Sequence, residues 1–314
     1  MTLRQRCCIR LVAVLLAVLL PCMILCGCGG KTASDSADHS GPPRDNTPKV
    51  LSPSADHVEE YSCSYASIDA SNSSQGYIMA AYNSGCDKVK IQITDPNQTV
   101  YTYLLPKGGS YQTFPLSGGN GTYSIRIMEN VSGDSYAIVM SQDISVTAAD
   151  EFLPYLYPNQ YVNFDESSAA VAKGAELAAD TYTDLEVVEN VYNFVIDNIK
   201  YDDAKAASVT YGYIPDVDAT LESGKGICFD YAALMCCMLR SQGIPTKLET
   251  GYAGTVTHAW ISTYVDDIGW VDGIIEFDGS SWELMDPTFA ANNDSSSVSD
   301  YIGDGSNYTL KNSY

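Results

Sequence analysis

Histidine occurs only three times in these 314 residues, as His39, His57 and His258. The first two lie in a polar segment, so His258 is the one histidine in a region rich enough in apolar residues to fold around it. No grouping of Cys and His has the spacing of a zinc site, and the scattered aspartates form no EF-hand loop. The sequence therefore gives no sign of a metal or other cofactor, and it offers one candidate for a catalytic imidazole.

Basic residues are also scarce, with 17 Lys and Arg against 39 Asp and Glu and a formal net charge of −22. Binding to nucleic acid requires clustered Lys and Arg. This charge balance argues against nucleic acid or another anionic polymer as a partner. The simplest explanation is a solvated acidic surface, which suits a protein outside the cell. Since 45% of the residues are hydrophobic, the chain can build a core, and its length predicts two domains.

The N-terminus has an apolar run over residues 11–25, which is short for a membrane helix. Three arginines precede it: Arg4, Arg6 and Arg10. The run ends in Leu25-Cys26-Gly27-Cys28, which resembles a bacterial lipoprotein cleavage box. Residues 1–27 would then be a signal peptide and Cys28 the lipidated residue, although a plain signal peptide or an uncleaved anchor remains an alternative. We expect an extracytoplasmic lipoprotein anchored to the membrane at the cell surface.

Composition divides the remaining chain into three parts. Residues 28–60 are rich in Ser, Asp, Pro and Gly, which predicts a disordered tether. Residues 61–148 consist of short alternating apolar runs separated by turn formers, which predicts an antiparallel β-sandwich of immunoglobulin-like size. Residues 149–314 have helical patterns followed by strands, which predicts an α+β domain. Cys63 and Cys86 fall in the sandwich region, and the sequence leaves open whether they form a disulfide.

Local signals refine the α+β region. Thr183 and Glu186 have the spacing of a capping box at the start of a helix with one apolar face. Residues 202–218 are polar and contain glycine and proline, which predicts a loop. The end of the chain, residues 291–314, is polar and is expected to wrap around the surface.

A second helix is predicted directly after Gly224 and Gly226. Residues from Ile227 onward are good helix formers, and they run as far as Gly243-Ile244-Pro245. Cys228 therefore falls in the first helical turn, where unpaired N–H groups and the helix dipole favour a thiolate. Two further thiols, Cys236 and Cys237, occur in the apolar body of the helix, where buried structural thiols are expected.

Cys228, His258 and Asp286 follow one another in the order of a Cys, His, Asp triad. Such a triad needs an imidazole to take the thiol proton and a carboxylate to orient the imidazole. The motifs Gly-Lys-Gly-x-Cys, His-Ala-Trp and Trp-x-Leu-x-Asp-Pro-Thr resemble the transglutaminase-like superfamily of papain-type folds, over about residues 180–290. The resemblance implies that Cys228 is the nucleophile, His258 the general base and acid, and Asp286 the orienting acid. Three other acids are near enough in sequence to stay alternatives for that last role: Asp267, Asp272 and Asp278.

The helix start also suggests an oxyanion site. The backbone N–H of Cys228 is the expected first donor, and a second donor remains unassigned between Tyr211 and Tyr213, for which simple packing is the plainer interpretation. Asp230 is interpreted as a first-turn acid that stabilises the helix dipole.

Together these features predict a surface-anchored cysteine enzyme that acts on amide bonds of peptides or proteins through a thioester acyl-enzyme, as a peptidase or amidase. A protein cross-linking transglutaminase is one alternative, because the same acyl-enzyme would pass its acyl group to an amine instead of water. A surface protein that only binds ligands, with the fold serving as a scaffold, is the other.

Overall fold

The computed structural model describes residues 44–266, 268–272, 274–277, 282–285 and 308–314. The first part of the described chain is a pair of four-stranded antiparallel sheets, with strand orders β1-β2-β3-β6 and β5-β4-β7-β8. The strands are β1 (Glu60–Ser62), β2 (Ala66–Asp69), β3 (Tyr77–Tyr82), β4 (Val89–Thr94), β5 (Val100–Leu104), β6 (Gln112–Pro115), β7 (Gly121–Ser132) and β8 (Ser135–Val146). No helix in the described part of the chain is long and apolar enough to span a membrane.

Alternation of side chains explains how these two sheets pack. Along β4 the apolar residues Val89, Ile91 and Ile93 are buried, while the intervening polar residues are half-exposed. Inward-facing residues of both sheets, such as Ile78 on β3 and Ile125 on β7, belong to one buried cluster. The predicted β-sandwich is confirmed. Cys63 and Cys86 in this region are free thiols.

The second part has helices followed by an antiparallel sheet, which confirms the α+β prediction. The helices are α1 (Ala169–Ala178), α2 (Asp184–Asn198), α3 (Asp203–Ser208), α4 (Val217–Ser223) and α5 (Cys228–Arg240). Two short strands, β9 (Lys200–Tyr201) and β10 (Lys225–Gly226), form a parallel pair. The main sheet has the order β13-β12-β11-β16, and a separate hairpin joins β14 to β15. These strands are β11 (Thr246–Ala253), β12 (Val256–Val265), β13 (Gly269–Asp272), β14 (Ile274–Phe277), β15 (Trp282–Met285) and β16 (Tyr308–Ser313).

The helix starts depend on side-chain caps. At α2 the Thr183 hydroxyl accepts from the Glu186 N–H at 3.2 Å, and the Glu186 carboxylate accepts from the Thr183 N–H, so the predicted capping box is present. The loop predicted for residues 202–218 is wrong at both ends, since α3 and α4 begin there. Asp202 and Asp216 cap these two short helices by accepting backbone N–H bonds.

The C-terminus also differs from its prediction. Residues 308–313 form β16, which pairs with β11 instead of wrapping over the surface. Tyr314 is buried, and its carbonyl accepts hydrogen bonds from the Leu248 N–H at 3.0 Å and from Arg240 Nη2 at 2.7 Å. The polar composition of the segment concealed this strand, because its stabilising contacts come from the backbone ladder and from one buried aromatic residue.

The predicted disordered tether, residues 28–60, is wrong over residues 44–59, which contacts with later segments hold in place. Arg44 forms an ion pair with Asp184 at the start of α2, at 2.5 Å, and it also donates to the Gln242 carbonyl. The Lys49 N–H donates to the Ser241 carbonyl at 2.7 Å. Polar side chains and backbone groups hold this segment, so a prediction based on missing apolar residues could not detect it.

Candidate active site

The first turn of α5 is set by two glycines. Gly224 has φ +61°, the left-handed conformation that ends α4. At Gly226 a Cβ atom would lie only 2.6 Å from the Cβ of Asp230, so no larger residue fits. This close approach lets the Asp230 carboxylate accept the Ile227 N–H at 2.8 Å. The helix begins at Cys228, as predicted.

Asp230 does more than balance the helix dipole. It is fully buried, and besides the Ile227 N–H it accepts Lys205 Nζ at 2.7 Å and the Tyr213 hydroxyl at 2.5 Å. Burial lowers the pKa of Lys205, but its hydrogen bonds to Asp230 and Tyr213 outweigh this, so the pKa is raised overall. Burial, and then the bond to Asp230, raises the pKa of Tyr213 to about 12. The carboxylate thus joins α3, the α3–α4 loop and the first turn of α5.

His258 lies on β12, opposite Gly251 of β11. A Cβ at Gly251 would lie 2.0 Å from the carbonyl oxygen of Thr309, so β16 can approach this point of the sheet only because glycine is there. Two aromatic rings flank the imidazole. The Trp260 ring lies nearly parallel to it, with centroids 6.2 Å apart, and the Tyr308 ring is 6.0 Å away.

Glu249 fixes one of these flanking rings. This buried carboxylate on β11 accepts Trp260 Nε1 at 2.7 Å, the Ser262 hydroxyl at 2.7 Å and the Ser313 hydroxyl at 3.0 Å. The residue was not singled out from the sequence, where it is one of many acids. In the β11–β12 register it lies directly opposite Trp260, a pairing that no local signal in the sequence marks.

A pocket of about 440 Å³ brings the two strongest candidates together, because Cys228 and His258 both line it. Cys228 is half-buried, whereas Cys236 and Cys237, further along the same helix, are buried. Burial raises the pKa of the Cys236 thiol to about 12 and that of Cys237 well above its ordinary value. Cys228 is therefore the thiol of α5 that a substrate in this pocket would meet.

Five tyrosines also line the pocket, and the three that are candidates for a hydrogen-bond donor are Tyr201, Tyr211 and Tyr213. The Tyr213 hydroxyl donates its proton to Asp230, so it does not donate to a ligand in the pocket. Tyr201, on β9, is not among the donors that the sequence suggested. Burial, then the nearby Cys228 thiol and Asp203, raises the pKa of its hydroxyl, which keeps the phenol protonated at neutral pH.

The acid that would orient His258 has four candidates in the sequence. Asp286, Asp267 and Asp278 lie outside the described residues, and so does Cys28. Asp272 is the last residue of β13, and its backbone pairs with Ser262 of β12. Among the residues that the structure describes, no group of three His, Cys, Asp or Glu side chains could hold a metal ion.

Residues 171–272 match the family model of the transglutaminase-like superfamily. This match runs from within α1 to the end of β13 and includes Cys228 and His258. The chain therefore contains a transglutaminase-like domain. No curated protein matches the chain.

Solved structures show only remote likeness. A candidate cysteine protease from Cytophaga hutchinsonii is 14% identical, with a TM-score of 0.38, over 82% of this chain and 74% of that one. A candidate protease from Parabacteroides distasonis is 14% identical, with a TM-score of 0.29, over 68% of this chain and 64% of that one. Red sea bream transglutaminase is 15% identical, with a TM-score of 0.28, over 68% of this chain and 48% of that one.

Proposed function

We propose that the protein is a cysteine peptidase or amidase that forms a thioester acyl-enzyme at Cys228. The observation that carries this proposal is the pocket shared by Cys228, at the start of a helix, and His258, inside a transglutaminase-like domain. A thiol and an imidazole in one pocket supply the nucleophile and the base that acyl transfer requires.

The proposed reaction has two halves. In the first, the Cys228 sulfur attacks the amide carbonyl while His258 takes the thiol proton. The tetrahedral intermediate collapses when His258 gives that proton to the leaving amine, and a thioester remains. In the second half, water attacks the thioester, His258 takes a proton from the water and returns it to the departing sulfur, and a carboxylic acid is released. Asp286 would orient the imidazole, as the resemblance implies.

The negative oxygen of each intermediate needs hydrogen-bond donors. The first N–H groups of an α-helix have no acceptor within the helix, so the Cys228 N–H is suited to this role. We assign the second donor to the Tyr201 hydroxyl, because it lines the same pocket and remains protonated. Tyr201→Phe is expected to lower kcat by roughly 10²-fold, in line with the loss of one oxyanion donor.

A single incubation distinguishes hydrolysis from cross-linking. The full chain is mixed with a peptide library and a labelled primary amine, and the products are sequenced by mass spectrometry. We expect new peptide termini and no incorporated amine, with Cys228→Ala inactive and Cys236→Ala, a matched cysteine substitution on the same helix, active. Amine incorporation without hydrolysis would overturn the peptidase assignment in favour of a transglutaminase. No product of either kind would favour a binding protein.

We further propose that the protein is anchored outside the cell through lipid on Cys28, because a basic head, an apolar run and a cysteine coincide at the N-terminus. The test is metabolic labelling with a radioactive fatty acid in a bacterial host. The wild-type chain should incorporate label and Cys28→Ser should not. Cys26→Ser, two residues away, is the control that keeps the label. Equal labelling of the Cys28→Ser chain would contradict the proposal.

A further inference from the structure

A second pocket of about 670 Å³ lies beside the pocket of Cys228 and His258. The β-sandwich contributes Lys88, Lys90 and Tyr136 to its lining, and the α3–α4 loop contributes Tyr211, Gly212 and Ile214. Three residues line both pockets: Leu104, Tyr211 and Gly212. A ligand long enough to leave the Cys228 pocket past these residues would therefore enter the second pocket.

Gly212 determines how this connection is built. Its φ is +88°, and a Cβ there would lie 2.1 Å from Cδ1 of Leu104 on β5. Any other residue would be strained at this positive φ, and its Cβ would force the Leu104 side chain to move. The neighbouring Tyr211 is 71% exposed, so its ring is available to an extended ligand between the two pockets.

Lys90 gives the second pocket its chemistry. Its ammonium lies 4.1 Å from the ring centroid of Tyr136 and 5.3 Å from that of Tyr211. Within the described part of the chain, no carboxylate forms an ion pair with it. By contrast, Lys107 forms an ion pair with Asp87, which also lines the pocket. Cation–π contacts hold an ammonium in place without neutralising its charge.

The charges around this pocket favour an anionic ligand. Lys88 and Lys90 both line it, and once Asp87 is paired with Lys107, the remaining acid of the lining is Asp134. The whole chain has a net charge of −22, so this local excess of positive charge is opposite in sign to the charge of the protein as a whole. An opposite charge on the ligand is the natural counterpart of Lys90.

We propose that the Lys90 pocket is a carboxylate-binding subsite of the peptidase, which holds an acidic group of a peptide whose scissile amide lies at Cys228. The acidic group is either an Asp or Glu side chain or the C-terminal carboxylate of the peptide, since both present the same chemistry to an ammonium. This inference rests on the proposed function, and it gives the β-sandwich a direct part in selecting the substrate.

The test compares peptides that differ by one charge. In one series of pairs, the two peptides have Glu or Gln at one position near the cleaved bond, and each flanking position is tested in turn. In a further pair, one peptide has a free C-terminus and the other an amidated one. We measure kcat/KM for the wild-type chain, for Lys90→Met and for Lys173→Met, a control that removes an ion-paired lysine on α1. The wild type and the control should prefer one acidic peptide about tenfold, as expected for a partly desolvated charge pair. Lys90→Met should lose the preference but retain its rate on the neutral peptide.

The pair that shows the preference identifies the source of the carboxylate. Equal preference in wild type and Lys90→Met, or no acidic preference in the wild type, would overturn the proposal. If no peptide is hydrolysed, the peptidase assignment fails, and the subsite is then tested by calorimetric binding of the same peptides to the Cys228→Ala chain. Tighter binding of the acidic peptide than of the neutral one, lost when Lys90→Met is added, would support the subsite. Equal binding of the two peptides would refute it. Thermal melts of each variant confirm that it is folded.

Discussion

The first turn and the body of helix α5 place the same side chain in opposite environments. Cys228, in the first turn, is half-buried at a pocket that it shares with His258, while Cys236 and Cys237 are sealed in the core. Burial raises the pKa of Cys236 to about 12, so this thiol stays protonated and out of reach of a substrate. The comparison teaches that position along the helix, and not the identity of the side chain, separates a thiol that lines a pocket from a packing residue.

The first turn and the body of α5 also differ in the contacts that hold them. The body of α5 is held by apolar packing inside the core, whereas its first turn is held by a buried carboxylate, Asp230, that accepts bonds from three segments. A change of the Cys228 thiol should therefore affect catalysis, whereas a change of the Asp230 carboxylate or of a buried thiol should affect stability. The following predictions test this division, from the largest effect to the smallest.

Cys228→Ala should abolish hydrolysis, with kcat/KM falling by at least about 10³-fold, because it removes the thiol that would form the proposed acyl-enzyme. Cys236→Ala should leave kcat/KM within about threefold of wild type, since burial keeps that thiol away from substrate. Steady-state kinetics on a cleaved peptide provide both values. Comparable losses of kcat/KM in the two variants would show that the position of the cysteine along the helix makes no difference to function.

His258→Ala should lower kcat/KM by about 10²- to 10⁴-fold, the usual contribution of a general acid and base. Thr257→Ala, at a neighbouring position that also lines the pocket, is the matched control for a local change on β12. Urea unfolding of both variants excludes a fold defect. Activity retained in His258→Ala would remove the imidazole from the mechanism.

Asp230→Asn should lower the free energy of unfolding by about 3 kcal/mol, because it breaks a buried pair and leaves the Lys205 ammonium without its carboxylate. The control is Asp203→Asn, an exposed acid at the start of α3, which should change stability by less than about 0.5 kcal/mol. Urea denaturation at pH 7 measures both. If Asp230→Asn is as stable as wild type, the carboxylate does not hold the first turn.

The buried Cys236 thiol should make the stability of the protein depend on pH above pH 9. The pKa of Cys236 is raised from 9.0 to about 12 in the folded protein, so its contribution to stability is fully present below pH 9. Between pH 9 and 12 the unfolded thiol ionises while the folded one does not, and the contribution falls by about 1 kcal/mol per pH unit. Cys236→Ala loses packing contacts, and this loss does not depend on pH. The difference in free energy of unfolding between the variant and the wild type should therefore shrink as the pH rises through this range. Urea unfolding at one-unit intervals of pH measures it, and a deficit independent of pH would contradict the burial of this thiol.

Local signals in the sequence predicted the elements that carry the site. The glycine pair and the helix formers place Cys228 at the start of α5, the capping box predicts the start of α2, and the apolar run places His258 on a strand. These features depend on residues close together in the chain, where periodicity and capping act. The α+β class and the preceding sandwich follow from the same local patterns.

What the sequence did not predict depends on contacts between distant segments. The Asp230 carboxylate joins Lys205 and Tyr213, and Glu249 joins Trp260 to β16, in each case through residues that look like ordinary surface side chains in the sequence. Strand β16 itself appears only when its pairing with β11 is known, because backbone hydrogen bonding leaves no mark in a polar sequence. Non-local polar networks of this kind are therefore found only in the folded structure.

The most direct test of activation at Cys228 is thiol labelling resolved by residue. The full chain and its His258→Ala variant are treated at pH 7 with limiting iodoacetamide, and peptide mapping gives a rate for each cysteine. Cys63, an exposed thiol on the sandwich, is the internal reference for exposure alone. We predict that half-buried Cys228 reacts faster than Cys63 and far faster than Cys236 and Cys237, and that His258→Ala removes this advantage. A Cys228 rate no higher than that of the buried thiols, or one unchanged by the loss of His258, would contradict the account.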